Sequence, residues 1–251
     1  MGLLGTKLEA GGAAPRGAGR RRRLRIGVIL RRAVAAILAL GLLYVALVFV
    51  LGLAYAVLTP VSTLMLARWL ALKPVERIVA PLEEISPLVP IAVITSEDSR
   101  FCQHSGVDWE ALREVVEAAD EDGPSRGAST VAMQTAKNLF LWPGRSVIRK
   151  GLELPIALYL DFIWTKRRMM EVYLNMAEWG PGVFGIEAAA RHYFGKPSRA
   201  LQRREIALLV TALPNPITRN PARPSPRHRL LANRLMARMS GAAPLTSCVR
   251  A

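Results

Sequence analysis

Residues 96–108 read Ser-Glu-Asp-Ser-Arg-Phe-Cys-Gln-His-Ser-Gly-Val-Asp, and a second polar cluster, Gly127-Ala128-Ser129-Thr130 continuing to Gln134, Lys137 and Asn138, follows a short way downstream. Glu97 and Asp98 come directly after the apolar run Ile91-Ala92-Val93-Ile94, so a buried segment ends there and holds two carboxylates at an edge. Gln134, Lys137 and Asn138 are spaced i, i+3, i+4, which puts them on one face of a helix beginning at Thr130. The start of that helix, with Ser129 and Thr130, offers unpaired N–H groups and a partial positive charge to an anion, although helix capping explains the two hydroxyls equally well. The two clusters read as halves of one cleft, a carboxylate base facing an anion-holding pocket. That is equipment for moving a group off a phosphate. A base must take the proton of an attacking hydroxyl, whereas a diphosphate leaves readily once its charge is neutralised. A glycosidase would need two carboxylates flanking the bond it cuts.

Outward from these clusters the pattern is mostly helical. Helices are expected over Trp109–Ala119 behind the N-cap Asp108, then over Thr130–Phe140, Val147–Leu160, Arg167–Ala177, Ile186–Phe194, Leu201–Leu213 and His228–Met239, with the second-last capped at or near Ser198. A polar loop is expected at residues 120–125. No recurring strand alternation is present, so the domain is expected to be mainly α. Arg145, Arg149 and Lys150 add positive charge around one helix start. Arg149 can reach Glu153 at i, i+4, an ordinary ion pair being the plainer explanation of that spacing. Pro155 lacks an N–H and is expected to kink the helix beyond Glu153.

From Ala33 to Ala67 the chain has no charged residue. Residues 33–58 exceed the roughly 20 that a helix needs to cross a bilayer, and Thr59-Pro60 marks an end. The 32 residues before them hold nine Lys or Arg against Glu9, a net charge of +8 within a whole-chain charge of +15. The positive-inside rule puts this arm in the cytoplasm and everything after Thr59 outside. Cleavage after Ala54-Tyr55-Ala56 is the rival reading, opposed by a run longer than the roughly 7–15 apolar residues of a signal peptide. The expected organisation is a disordered basic arm (1–32), a transmembrane helix (33–58), a membrane-proximal connection (59–90), a catalytic domain (91–240) and a frayed tail (241–251). Val61–Leu72 suits either an interfacial segment or the first helix of the domain. The remaining 219 residues carry 25 Lys or Arg against 18 acids, a basic balance suited to lipid headgroups and diphosphates. Nucleic acid is a poor fit, for no aromatic-basic stacking pattern appears. Cys102 and Cys248 make no disulfide framework and are expected to stay unbridged, although an oxidising compartment would allow a bridge. No Cys/His group has zinc spacing.

Glu97-Asp98-x-x-Phe101-x-x-His104-x-Gly106-x-Asp108 resembles the first motif of the peptidoglycan glycosyltransferases, which polymerise lipid II into glycan strands. Further matches follow in family order: Gly127 to Thr130 with Gln134, Lys137 and Asn138; Arg149-Lys150-x-x-Glu153; Lys166-x-Arg168 with Glu171, Tyr173, Leu174 and Asn175; and Gly185 through Ala188-Ala189 to Tyr193-Phe194-Gly195-Lys196. The set covers residues 93–216 and looks like the monofunctional, membrane-anchored type. It implies a lysozyme-like helical domain with a small membrane-proximal jaw lobe, behind one transmembrane helix. It further implies Glu97 as the base that activates the acceptor 4-hydroxyl and Glu153 as the second essential carboxylate. Ser129, Thr130, Gln134, Lys137, Asn138, Arg145, Arg149 and Lys150 become the substrate-binding set. The implied partners are lipid II, the growing lipid-linked glycan, membrane lipids and other cell-wall synthesis proteins, at the periplasmic face of the inner membrane. No cofactor is required by the sequence. The resemblance allows a divalent Mg or Mn ion, with Asp98 either its ligand or a structural hydrogen-bond acceptor. His104 is read as fixing the turn at Gly106, and Glu171, Tyr173 and Asn175 as bracing the cleft. Where the family usually has two adjacent glutamines this chain has Met133-Gln134, one polar group fewer. The rival functions are a lysozyme-like lytic enzyme and a non-enzymatic membrane anchor of a cell-wall complex.

Overall fold

The computed structural model describes residues 18–118, 129–144 and 146–250. The expected loop at 120–125, Gly127, Ala128 and the site candidate Arg145 lie outside them. The chain divides into two units, Met1–Phe49 and Val50–Ala251. The first helix, α1 (Ala18–Tyr55), carries an apolar stretch from Val28 to Tyr55 long enough to cross a membrane. Its start corrects the reading of a wholly disordered arm. Arg and Leu are good helix formers, and a helix already nucleated by the apolar segment propagates through them at little cost.

In the second unit α2 (Thr63–Leu70), capped by the Ser62 hydroxyl, is followed by β1 (Glu76–Arg77), α3 (Leu88–Glu97) and α4 (Trp109–Ala118). Then come α5 (Val131–Phe140), α6 (Val147–Ile163), α7 (Lys166–Met176), β2 (Glu178–Gly180), β3 (Val183–Phe184), α8 (Ile186–Phe194), α9 (Arg203–Ala212), α10 (Pro226–Met239) and α11 (Ser247–Arg250). α2, α5 and α6 pack together, α3, α9 and α10 form another group, and α7 touches α5, α6, α8 and α11. α7 and α9 are buried along most of their length, as helices at the centre of a helical lobe must be. The core is filled by Trp179, Tyr173, Phe101, Phe184, Met65 and Ile94, all fully buried.

The structure corrects several expectations. A small sheet of order β1-β3-β2 exists, β3 running parallel to β1 and antiparallel to β2. Strands of two or three residues are too short to show alternation. β1, with the 3-10 turn Leu82–Glu84 and the start of α3, also gives structure to the supposedly irregular connection. α9 is capped by Gln202 and Glu205 in a reciprocal box rather than at Ser198. α6 runs unbroken through Pro155, the lost hydrogen bond being one among many in a packed helix. Residues 242–250 are not frayed: Thr246 and Val249 are buried, and Cys248 is bridged to Cys102 across 146 residues. The pairing could not be read from two lone cysteines, because it depends on the tail folding back beside the loop after α3.

The domain grips the end of α1. The Trp164 indole N–H donates to Gly52 O at 2.8 Å, and Arg168 donates to Tyr55 O at 3.1 and 3.0 Å and to Leu58 O at 2.6 Å. A Cβ on Gly52 would lie 2.5 Å from the Tyr159 ring, so only glycine admits this approach without a shift.

Candidate active site

α3 is apolar on nearly every face and therefore buried, and its last turn carries Glu97. One Glu97 oxygen accepts from Ser96 Oγ at 2.9 Å, and the other from Gln134 Nε2 at a long 3.4 Å. Burial pushes the Glu97 carboxyl above the usual carboxylate range. The hydrogen bonds from Ser96 and Gln134 and the charges of Arg219 and Arg238 pull against that rise without cancelling it. Behind Gln134, the fully buried Tyr173 hydroxyl donates to its Oε1 at 3.1 Å. Burial holds Tyr173 well above its ordinary value, so it stays protonated. A permanent donor on the amide oxygen turns the Gln134 NH2 toward Glu97. Met133 is buried in the core, so the missing second glutamine takes no side chain from the cleft.

Asp98 serves the scaffold. Its Oδ2 accepts from Val131 N at the start of α5 at 2.9 Å, and its Oδ1 meets His104 Nε2 at 2.8 Å. Each Asp98 oxygen thus has a protein partner, and among the described residues no three His, Cys, Asp or Glu side chains converge on one point. His104 ties the loop as expected. Gly106 holds φ at +76°, and a Cβ there would meet Ala157 O at 2.7 Å. Thr130 caps α5, accepting from Met133 N at 3.1 Å while donating to Gly106 O at 2.6 Å. The first motif and the α5 start are thus one hydrogen-bonded body, the two clusters meeting as the sequence implied.

On α6, Glu153 is buried and joined through one oxygen to Arg149 and through the other to Lys150 Nζ at 2.8 Å. Lys150 also donates to Ser129 Oγ at 2.7 Å. Glu153 therefore holds two cations in place, with Ser129 bracing Lys150. Lys137 makes no hydrogen bond or ion pair among the described residues. Burial, with Arg149 and Lys150 nearby, lowers its pKa against the opposing pull of Glu153 and Glu97. A compact ammonium left unpaired in a half-buried pocket is a ready anion ligand. Asn138 is half-buried, its carbonyl accepting from Thr63 Oγ1 at 3.0 Å, which ties α2 to the helix carrying Lys137.

Sequence reasoning missed three supports. Lys166 donates to His104 O and Asp161 Oδ1, both at 2.7 Å, and sits over the Phe101 ring at 4.8 Å. The Cys102–Cys248 bridge fastens the same loop. Arg219 and Arg238 reach the surroundings of Glu97 from a chain segment with no motif to flag it. The expected braces hold: Asn175 clasps Ala80 N and O at 2.9 and 2.8 Å, and Glu171 pairs with Arg168.

The family described as Transglycosylase matches residues 64–240. A biosynthetic peptidoglycan transglycosylase of Agrobacterium fabrum is 49% identical over 219 residues, 87% of this chain and 96% of the relative. Those of Brucella suis (47% over 226 residues, covering 90% and 98%) and Rhodopseudomonas palustris HaA2 (47% over 223, covering 88% and 98%) are similar throughout. The family match over most of the chain and the likeness to such relatives along nearly their full length show that the chain belongs to the monofunctional biosynthetic peptidoglycan transglycosylases and is a peptidoglycan glycosyltransferase.

Proposed function

We propose that the enzyme transfers a growing lipid-linked glycan onto the GlcNAc 4-hydroxyl of lipid II, forming a β-1,4 bond with inversion at the donor carbon and releasing undecaprenyl diphosphate. The observation that carries this reading is that Glu97, a carboxylate made more basic by burial, lies within electrostatic reach of Lys137, which has no ion-pair partner among the described residues. Glu97 takes the proton of the attacking hydroxyl as the new C–O bond forms. Lys137, Arg149 and Lys150 take up the charge of the departing diphosphate. The arrangement favours polymerisation over lysis, because Glu153, the carboxylate a hydrolase would need as its acid, has both oxygens committed to cations.

The same reading has the domain facing the periplasm from the inner membrane, with α1 retained. The arginine-rich arm favours a cytoplasmic N-terminus, and a disulfide beyond the span suits an oxidising compartment. Cleavage after Ala56 would remove Gly52 and Tyr55, whose carbonyls Trp164 and Arg168 hold. Leu66, Trp69 and Leu70 on α2 and Val147 and Ile148 on α6 are exposed apolar side chains suited to a lipid surface. Labelled lipid II incubated with the full-length protein tests the proposal: polymer is expected, and none from Glu97→Gln at comparable enzyme. Fragments released from preformed strands, with no polymer, would refute it.

A further inference from the structure

Of the eight described arginines from Arg68 to Arg191, six have a carboxylate partner: Arg68 with Glu178, Arg100 with Asp108 and Glu110, Arg149 with Glu153, Arg167 with Glu83, Arg168 with Glu171, Arg191 with Glu187. Beyond Glu205 the sequence has no acid at all, yet it carries seven arginines, six of them before the C-terminal helix: Arg219, Arg223, Arg227, Arg229, Arg234 and Arg238. None of these six has an ion pair among the described residues; Arg219 is held only through Thr211 O and Arg229 through Pro224 O.

Helical geometry arranges them. The buried face of α10 is His228, Ala232, Leu235 and Met239. Arg227, Arg234 and Arg238, at i, i+7 and i+11, fall within a narrow stripe about 110° around the helix from that face. All three are exposed, and the stripe extends for about 16 Å. It starts near the catalytic base: α10 packs against α3, whose last residue is Glu97, and Glu97 feels the charges of Arg219 and Arg238. A positive track without internal counter-charge, contiguous with a cleft, attracts an anion that passes through the cleft.

We infer that the arginine stripe of α10 is a binding track for the peptide-bearing glycan strand, engaging the carboxylates of its peptide chains next to the cleft. This rests on the polymerase reading above. Sugars are neutral and could be held by hydrogen bonds alone, whereas peptide stems end in carboxylates that recur along a strand. An array of guanidinium groups meets such a ligand at several points, each contact weak and together cumulative. A lipid surface is the poorer occupant. The exposed apolar groups suited to it lie on α2 and at the start of α6, and Leu230 is the only exposed large apolar side chain on α10.

The test uses full-length protein carrying Glu97→Gln, so that bound strands are not extended. The probes are uncrosslinked peptide-bearing strands and the same strands stripped of peptide. Arg227→Gln/Arg234→Gln, both at exposed positions without carboxylate partners, should leave thermal unfolding unchanged. It should bind peptide-bearing strands roughly three- to tenfold more weakly, the scale of two exposed ion pairs, with stripped strands unaffected and the difference vanishing in high salt. Equal binding of both strand types by the parent protein, or unchanged binding by the double variant, would overturn the inference. So would a loss confined to phosphatidylglycerol vesicles, which would assign the track to lipid. Failure of the protein with native Glu97 to polymerise lipid II would instead sink the polymerase reading, a separate measurement from strand affinity.

Discussion

Replacing Glu153 by glutamine separates two roles for this carboxylate, a clamp for cations or a participant in proton transfer. Arg149 and Glu153 are both buried, and the Arg149 Nε has no hydrogen-bond partner, so Glu153 supplies the counter-charge of a desolvated guanidinium. Breaking a buried pair from one side costs roughly 3–5 kcal/mol because the other charge stays behind. The lower end applies, since the glutamine oxygen still accepts one bond and Lys150, with a side chain 40% exposed, can turn to water. About 3 kcal/mol corresponds to a melting point lower by roughly 6–12 °C for a domain of this size. Thermal unfolding of the detergent-solubilised protein measures it. Adding Arg149→Met should recover part of the loss, since the double variant no longer buries an unpaired charge. Polymerisation should fall through weaker donor binding, with the pH dependence of the residual rate unmoved. A Glu153→Gln protein that melts with the wild type yet loses the acid limb of its rate profile would refute the clamp.

Other tests address the base, the pocket and the bridge. Glu97 has its folded pKa raised by burial, so its ionisation opposes folding as pH rises through that value. Glu97→Gln should therefore melt higher than wild type at neutral pH, the gap closing below the ordinary carboxylate range, while losing about 10²–10⁴ in rate; an unchanged rate would remove Glu97 from the chemistry. For the wild type, the rate should rise at a pH above the ordinary carboxylate value and fall below the ordinary lysine value, since Lys137 is shifted down; limbs at the unperturbed positions would contradict both assignments. Lys137→Ala should raise the KM for lipid II in a salt-sensitive way, and Lys137→Arg should restore it only in part, because a planar fork replaces a compact ammonium. Cys248→Ser should lower stability by up to about 5 kcal/mol, from the loop-closure entropy of a bridge spanning 146 residues; a melting point equal to wild type, with the bridge confirmed in the wild type by mass mapping, would show that the folded tail is held by packing alone.

The sequence by itself determined what depends on near neighbours. The length and apolarity of the span, the amphipathic helices, and the i, i+3, i+4 face of Gln134, Lys137 and Asn138 follow from periodicity. Thr130 and Asp108 as caps follow from local side-chain chemistry, and the motif order gave the family and its helical fold. Tertiary structure decided what depends on distant segments meeting. Only the fold brings Tyr173 to Gln134 and so aims the amide at Glu97, buries Met133 away from the cleft, and closes both oxygens of Asp98 onto His104 and the start of α5. Only the fold lays residues 242–250 beside Cys102, pairs three short strands that have no alternation to betray them, and brings the charges of Arg219 and Arg238 to bear on Glu97. A residue's period along the chain fixes the face it occupies on its own helix. Which other face it meets, and whether its charge is shared or left unpaired, is set by contacts between segments far apart in sequence, and those contacts decide the pKa of Glu97 and the free charge of Lys137.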